Sequence, residues 1–125
     1  MQAGYQSLLK FILPPYILEH FELISSKSEG EDILHIELEE PNIIPPEFEA
    51  GKYHSKGFFP TITIQDFPLR GHRVYFHIKR RRWLKTDEGD KGKVVSRDWN
   101  LVASGTRMTK EFAAFLKEVR RYPTL

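Results

Sequence analysis

The stretch His72-Arg73-Val74-Tyr75-Phe76-His77-Ile78-Lys79-Arg80-Arg81-Arg82-Trp83-Leu84 decides how the chain is read. Its apolar residues Val74, Phe76 and Ile78 fall on every second position, and a strand sends successive side chains to opposite faces. The spacing predicts one long strand over residues 72–84, with those three residues facing a core. The odd positions Arg73, Tyr75, His77, Lys79, Arg81 and Trp83 then share the other face, which is cationic with aromatic rings between the charges. Arg80 and Arg82 break the pattern, because strict alternation would bury them and an unpaired buried charge is costly. Either the strand twists out beyond the core after Ile78, or a bulge resets its register. Both bring three successive arginines to an exposed end.

Working outward from this strand, residues 86–92 form a charged, glycine-bearing turn, and residues 93–101 pair back to make a β-hairpin with a long tip. Arg97 and Trp99 lie two apart on that returning strand and so share a face. Upstream, residues 61–65 alternate as a strand with Ile62 and Ile64 inward. Residues 66–71 form a turn around Pro68 and Gly71, in which Asp66 is expected to bond nearby backbone amides. Residues 33–39 alternate again, with Leu34, Ile36 and Leu38 inward and His35, Glu37 and Glu39 outward. A polar turn over 25–31 precedes that strand, and a Pro- and Gly-bearing loop over 41–57 follows it. The N-terminus predicts a short helix over 5–13, ended by Pro14-Pro15, and a second over 16–21. At the other end Thr109 caps a helix over 110–121 whose apolar stripe is Phe112, Phe115, Leu116 and Val119. Helices, then strands, then one helix make the class α+β, with a small, mainly antiparallel sheet, a long basic hairpin, short N-terminal helices and a C-terminal helix.

Composition sets the limits. The 125 residues fit one domain, and nine phenylalanines supply bulk for its core. There is no cysteine, which excludes disulfides and thiolate zinc sites. The apolar stretch over 8–18 holds Lys10 and two prolines and is too short to cross a bilayer, so a cytoplasmic protein without a membrane partner is expected. The net charge of +2 hides a split. Residues 1–69 carry four Lys against eleven Asp and Glu, a balance of −7, whereas residues 70–125 carry fifteen Lys and Arg against six, a balance of +9. The acidic helix, strand and loop part spans 1–57, and the basic hairpin with its helix spans 58–125.

A basic half of this size attracts polyanions. Arg70, Arg73, Lys79, Arg80, Arg81, Arg82, Lys85 and Arg97 would neutralise phosphates, and Tyr75, Trp83 and Trp99 would stack on bases or sugars. A basic β-ribbon of this kind fits a major groove. An edge strand that uses positive charge to block aggregation would need fewer basic residues. His72 and His77 point to opposite faces and His20, His35 and His54 are scattered, so no metal and no cofactor is expected. Glu37 and Glu39 share a face with His35, but an acidic solvated face explains them as well as acid–base chemistry does. No nucleophile motif or phosphate-binding glycine loop is present, and no enzyme is expected.

From Phe58 onward the chain resembles the N-terminal region of bacterial insertion-sequence transposases, in which a zinc-ribbon-like segment precedes a helix-turn-helix. The resemblance rests on Asp66-Phe67-Pro68, Arg70-Gly71, Val74-Tyr75-Phe76-His77-Ile78 and Arg80-Arg81-Arg82-Trp83, in that order. Thr106-Arg107-Met108-Thr109 and the helix after it resemble the start of the family's helical part, which adds Arg107 to the DNA-contact residues. The chain departs from the family in lacking the paired cysteines, so a packed core must replace the zinc, and only one helix follows residue 109. There is no room for a three-carboxylate catalytic domain. The resemblance implies a DNA-binding N-terminal or accessory region that grips element-end DNA while a separate transposase chain supplies catalysis. Three other readings stay open: an interaction module whose basic face docks on an acidic partner or a second copy, a small enzyme using His35 and Glu37, and a decayed remnant without function.

Overall fold

The computed structural model describes residues 2–87, 92–102 and 106–120. Helix α1 (Gln2–Ile12) runs into Pro14-Pro15, and Pro15 occupies the first turn of helix α2 (Pro15–His20), where a missing amide hydrogen costs nothing. Four strands form the larger sheet in the order β1-β2-β5-β4: β1 (Glu22–Glu29), β2 (Ile33–Glu39), β5 (His72–Lys79) and β4 (Ile62–Leu69). A smaller sheet holds β3 (Tyr53–Phe58), β6 (Arg81–Lys85) and β7 (Lys93–Ser96), with β6 in the centre. Helix α3 (Lys110–Arg120) closes the described chain. The class is α+β and the pairing mainly antiparallel; the exception is β2 against β5, which run parallel in register from Ile33–Arg73 to Glu39–Lys79.

The core lies on one face of the larger sheet. Ile36, Leu38, Ile64, Val74, Phe76 and Ile78 point into it, packed with Ile17 of α2 and with Leu13 and Phe21, which flank that helix. The turn between β4 and β5 is tighter than the sequence suggests. Strand β4 continues to Leu69 past an irregularity after Asp66, and Leu69 pairs with His72 across only two residues. Both of these, Arg70 and Gly71, have positive φ (55° and 83°). That is the backbone of a type I′ turn, whose twist matches the flanking strands.

Several expected elements are revised. The polar turn over 25–31 is largely strand β1, an exposed edge strand whose two faces are both polar or solvated. The loop over 41–57 ends in β3. The returning strand is only Lys93–Ser96, so Arg97 and Trp99 lie beyond it. The single strand over 72–84 is two strands in different sheets, with the break at Arg80. Helix α3 starts as predicted: the Thr109 hydroxyl accepts from Phe112 N at 3.3 Å and donates to the buried Asp66 carboxylate at 2.7 Å. Its inward residues are Phe112 and Ala113, and it packs chiefly on β4, while Phe115 and Val119 stay half exposed. Among the described residues, no helix is long and apolar enough to cross a membrane.

Candidate nucleic-acid interface

The sheet change at Arg80 settles the register conflict. In β5 the even residues are buried, whereas in β6 the buried residue is Trp83, an odd one. Parity is therefore reset between Lys79 and Arg81, which puts Arg82 on the face of β6 opposite Trp83, with Arg80 beside it on the same Phe59 ring. The carbonyl of Arg80 accepts from Phe59 N at 2.9 Å, which fastens Phe58-Phe59 alongside the break. Consecutive phenylalanines then serve opposite sides. The Phe58 ring lies under the Arg81 guanidinium at 4.5 Å, and the Phe59 ring lies within 5.1 Å of Arg80 and 5.5 Å of Arg82. These separations are those of cation–π pairs. Opposite Arg82, β3 bulges at Lys56-Gly57, where Gly57 has φ 85°. The Lys56 carbonyl accepts a long bond of 3.4 Å from Arg82 Nη2.

The basic residues divide by whether the protein neutralises them. Arg81 is held inward: its backbone amide donates to Glu40 Oε1 at 2.9 Å, its Nε donates to the Glu40 carbonyl, and Nη1 donates to Ser55. Arg97 forks onto Glu47 with bonds of 2.6 and 2.8 Å. Lys85 pairs with Glu49 at 2.9 Å and Asp87 at 3.4 Å, and these carboxylates hold its ammonium above its ordinary pKa. Lys79 sits 3.9 Å from Glu39. Among the described residues, no carboxylate lies within ion-pairing distance of Arg80, Arg81 or Arg82, but the Arg81 guanidinium is satisfied by neutral acceptors. The Nε atoms of Arg80 and Arg82 are buried and have no hydrogen-bond acceptor. Two half-buried guanidiniums therefore share an aromatic ring and, among the described residues, carry no counter-charge.

The predicted surface from Arg73 to Trp83 is thus not one face. Arg73, Tyr75, His77 and Lys79 do line the open side of the larger sheet, while Arg70 projects from the turn at its far end. Arg107 lies exposed beside β4, where its carbonyl accepts from Gln65 N. Trp83 is a correction: it is 0 % exposed, its indole donates to Asn42 Oδ1 at 2.9 Å, and Phe48 packs edge-on against it. It cannot stack on a base without opening the smaller sheet. Trp99 is half-buried against His20 and Phe21 and donates to Glu40 Oε1 at 3.0 Å, so it too serves the interior. The free two-stranded ribbon is a second correction, since β3 pairs along the outer side of β6. With strands about 4.8 Å apart, three backbones span about 10 Å before any side chain is added, which is too wide for a groove of about 12 Å.

The open side of the larger sheet carries a different chemistry. Four side chains from four strands connect in a line: Glu29 to His35 at 2.9 Å, His35 to His77 at 2.8 Å, and His77 to Thr63 at 3.0 Å. One proton arrangement satisfies every bond. The Thr63 hydroxyl donates to His77 Nδ1, His77 Nε2–H donates to His35 Nδ1, and His35 Nε2–H donates to the Glu29 carboxylate. Burial, reinforced by His35, holds His77 below its usual pKa, while Glu37 pulls the other way. The Ser25 hydroxyl donates to Glu37 at 2.6 Å and lowers its pKa. Among the described residues, no three His, Asp or Glu side chains are gathered to hold a metal. Sequence reasoning missed this line because the partners of His35 come from both neighbouring strands. It missed Phe59 because the ring lies some twenty residues from the arginines it serves.

No protein-family model, curated protein or solved structure matches the chain.

Proposed function

We propose that the chain is a DNA-binding module that grips duplex DNA through the outer face of the smaller sheet. In this reading it acts as an N-terminal or accessory region of an insertion-sequence transposase, holding element-end DNA while a separate chain supplies catalysis. One observation carries the DNA reading: Arg80 and Arg82 share the Phe59 ring and, among the described residues, lack a carboxylate partner, while Arg81 between them is held by the Glu40 carbonyl and Ser55, and Lys79 and Lys85 are paired with Glu39 and Glu49. Guanidiniums that are fixed in place and uncompensated suit phosphate oxygens, which accept from two N–H groups at once. A sheet face too wide for the groove would lie across the phosphates, so its contribution is positioning rather than base reading. The transposase role rests on the ordered resemblance of residues 66–83.

The test is titration of a labelled duplex with the full chain at several salt concentrations, beside a variant with Arg80→Ala and Arg82→Ala. Steeply salt-dependent binding that the variant loses supports the reading. Absence of DNA affinity together with a salt-sensitive complex formed with an acidic protein would favour docking on an acidic partner instead.

A further inference from the structure

The two terminal helices leave an apolar surface uncovered. Phe11 on α1 is 88 % exposed, the most exposed large hydrophobic side chain among the described residues, and Leu8 one turn earlier is also exposed. On α3, Phe115 and Val119 are half exposed, and Phe115 touches Phe67 edge-on at 5.4 Å between ring centres. Exposed apolar groups gathered in this way mark a contact surface. Beside Phe11 a cleft of about 370 Å³ opens between the end of α1, the end of β4 and the first turn of α3. Lys10, Phe11, Asp66, Phe67 and Glu111 are among its lining residues.

The charge around this cleft names its occupant. Asp66 and Glu111 outnumber Lys10 among its lining residues and leave it net acidic. Asp66 is fixed in place by Thr109, and burial raises its pKa. Glu111 is exposed and, among the described residues, has no ion-pair partner; the same is true of Lys10. A cleft that sets Phe67, Pro68 and Leu69 beside two carboxylates fits an aromatic ring with a cation next to it, and the adjacent residues Lys10 and Phe11 are that pair. Because they stand at the edge of the same cleft, two copies related by a two-fold axis satisfy each other: each Phe11 enters the other's cleft and each Lys10 meets the other's Glu111. Such a contact uses the same surface twice and closes at two copies.

We infer that the chain associates with a second copy through this face, the Phe11 ring of one copy seated between α1, β4 and α3 of the other. The surface is separate from the Arg80–Phe59–Arg82 face, so the inference stands whether or not the chain binds DNA.

Sedimentation of the full chain from low micromolar to near-millimolar concentration tests it. The weight-average mass should rise from 14.7 kDa toward twice that value. Phe11→Asp, at a position exposed in the monomer, should weaken association about 30-fold or more, as truncating an interface hot spot does. Lys10→Glu and Glu111→Lys should each weaken it, and the two together should restore it. A mass fixed at 14.7 kDa throughout would overturn the inference and leave the face to a different partner. Association unaffected by Phe11→Asp, or not restored by the double charge reversal, would overturn it equally.

Discussion

Replacing Arg80 and Arg82 by alanine removes two cations that no carboxylate among the described residues neutralises, and the effect on DNA binding can be worked out in advance. Each phosphate neutralised contributes about −0.9 to the slope of log K against log salt. If each arginine meets one phosphate, the variant's slope is shallower by about 1.8. Raising salt from about 50 to about 200 mM spans 0.6 of a log unit, so the wild type loses about 12-fold more affinity over that range than the variant does. That difference is about 1.5 kcal/mol. The assay is anisotropy of a labelled duplex across a salt series, with the circular dichroism of each protein recorded to confirm its fold. Arg97→Gln is the matched control, because Glu47 already holds that guanidinium, and its slope should equal that of the wild type. Arg80→Lys with Arg82→Lys should also keep the slope, since charge is preserved while the stack on Phe59 is weakened. An unchanged slope in the double-alanine variant would refute the reasoning, as would an equal loss in Arg97→Gln.

Four further outcomes follow from the packing, the β4–β5 turn and the open sheet face. Trp83→Ala should cost about 3–5 kcal/mol in urea unfolding, because the ring is fully buried; a loss below about 1 kcal/mol would mean that the ring is not part of a core. In a Trp99→Phe background, the fluorescence of Trp83 should not respond to added DNA. Arg70→Asn should stabilise the β4–β5 turn by up to about 1 kcal/mol, since Arg70 holds φ 55° and asparagine tolerates that region better; an unchanged or lowered urea midpoint would count against the type I′ assignment. His77 has a folded pKa below its usual value of about 6.5. Protons therefore bind the unfolded chain more readily, so its contribution to stability is intact above about pH 6.5 and is lost as the pH falls toward the folded pKa. The melting temperature should drop across that window, and His77→Gln should flatten the drop.

The parts of the fold that were legible in the sequence are those with one wet and one dry face. Val74, Phe76 and Ile78 alternate because helices cover only one side of β5, and the same reason makes β2 and β4 readable. Strand β1 left no such signal: its segment Glu22–Glu29 lies at an edge, solvated on nearly every residue, so alternation has nothing to report. Strand β3 was hidden in the same way behind a Pro- and Gly-bearing loop. The conflict at Arg80 and Arg82 was visible in the sequence, but its resolution was not. That resolution depends on a second sheet whose buried face is covered by Asn42 and Phe48, some forty residues away. For the same reason Trp83 read as an exposed stacking residue. Which basic residues remain unpaired depends on carboxylates such as Glu47 and Glu49, whose approach is fixed by tertiary structure alone.

The passage of one backbone from the larger sheet into the smaller also has a mechanical consequence. Arg80 sits on the covalent link between β5 and β6, and β5 is flanked on both sides, by β2 and by β4. A pull on the arginine pair therefore travels as tension along a single strand into the centre of the larger sheet. Freeing that strand means shearing two ladders at once, with Phe76 and Ile78 dragged out of the core between them. The basic face is anchored as firmly as the interior of the protein itself, and whatever it holds is coupled to the whole body with no loose joint between.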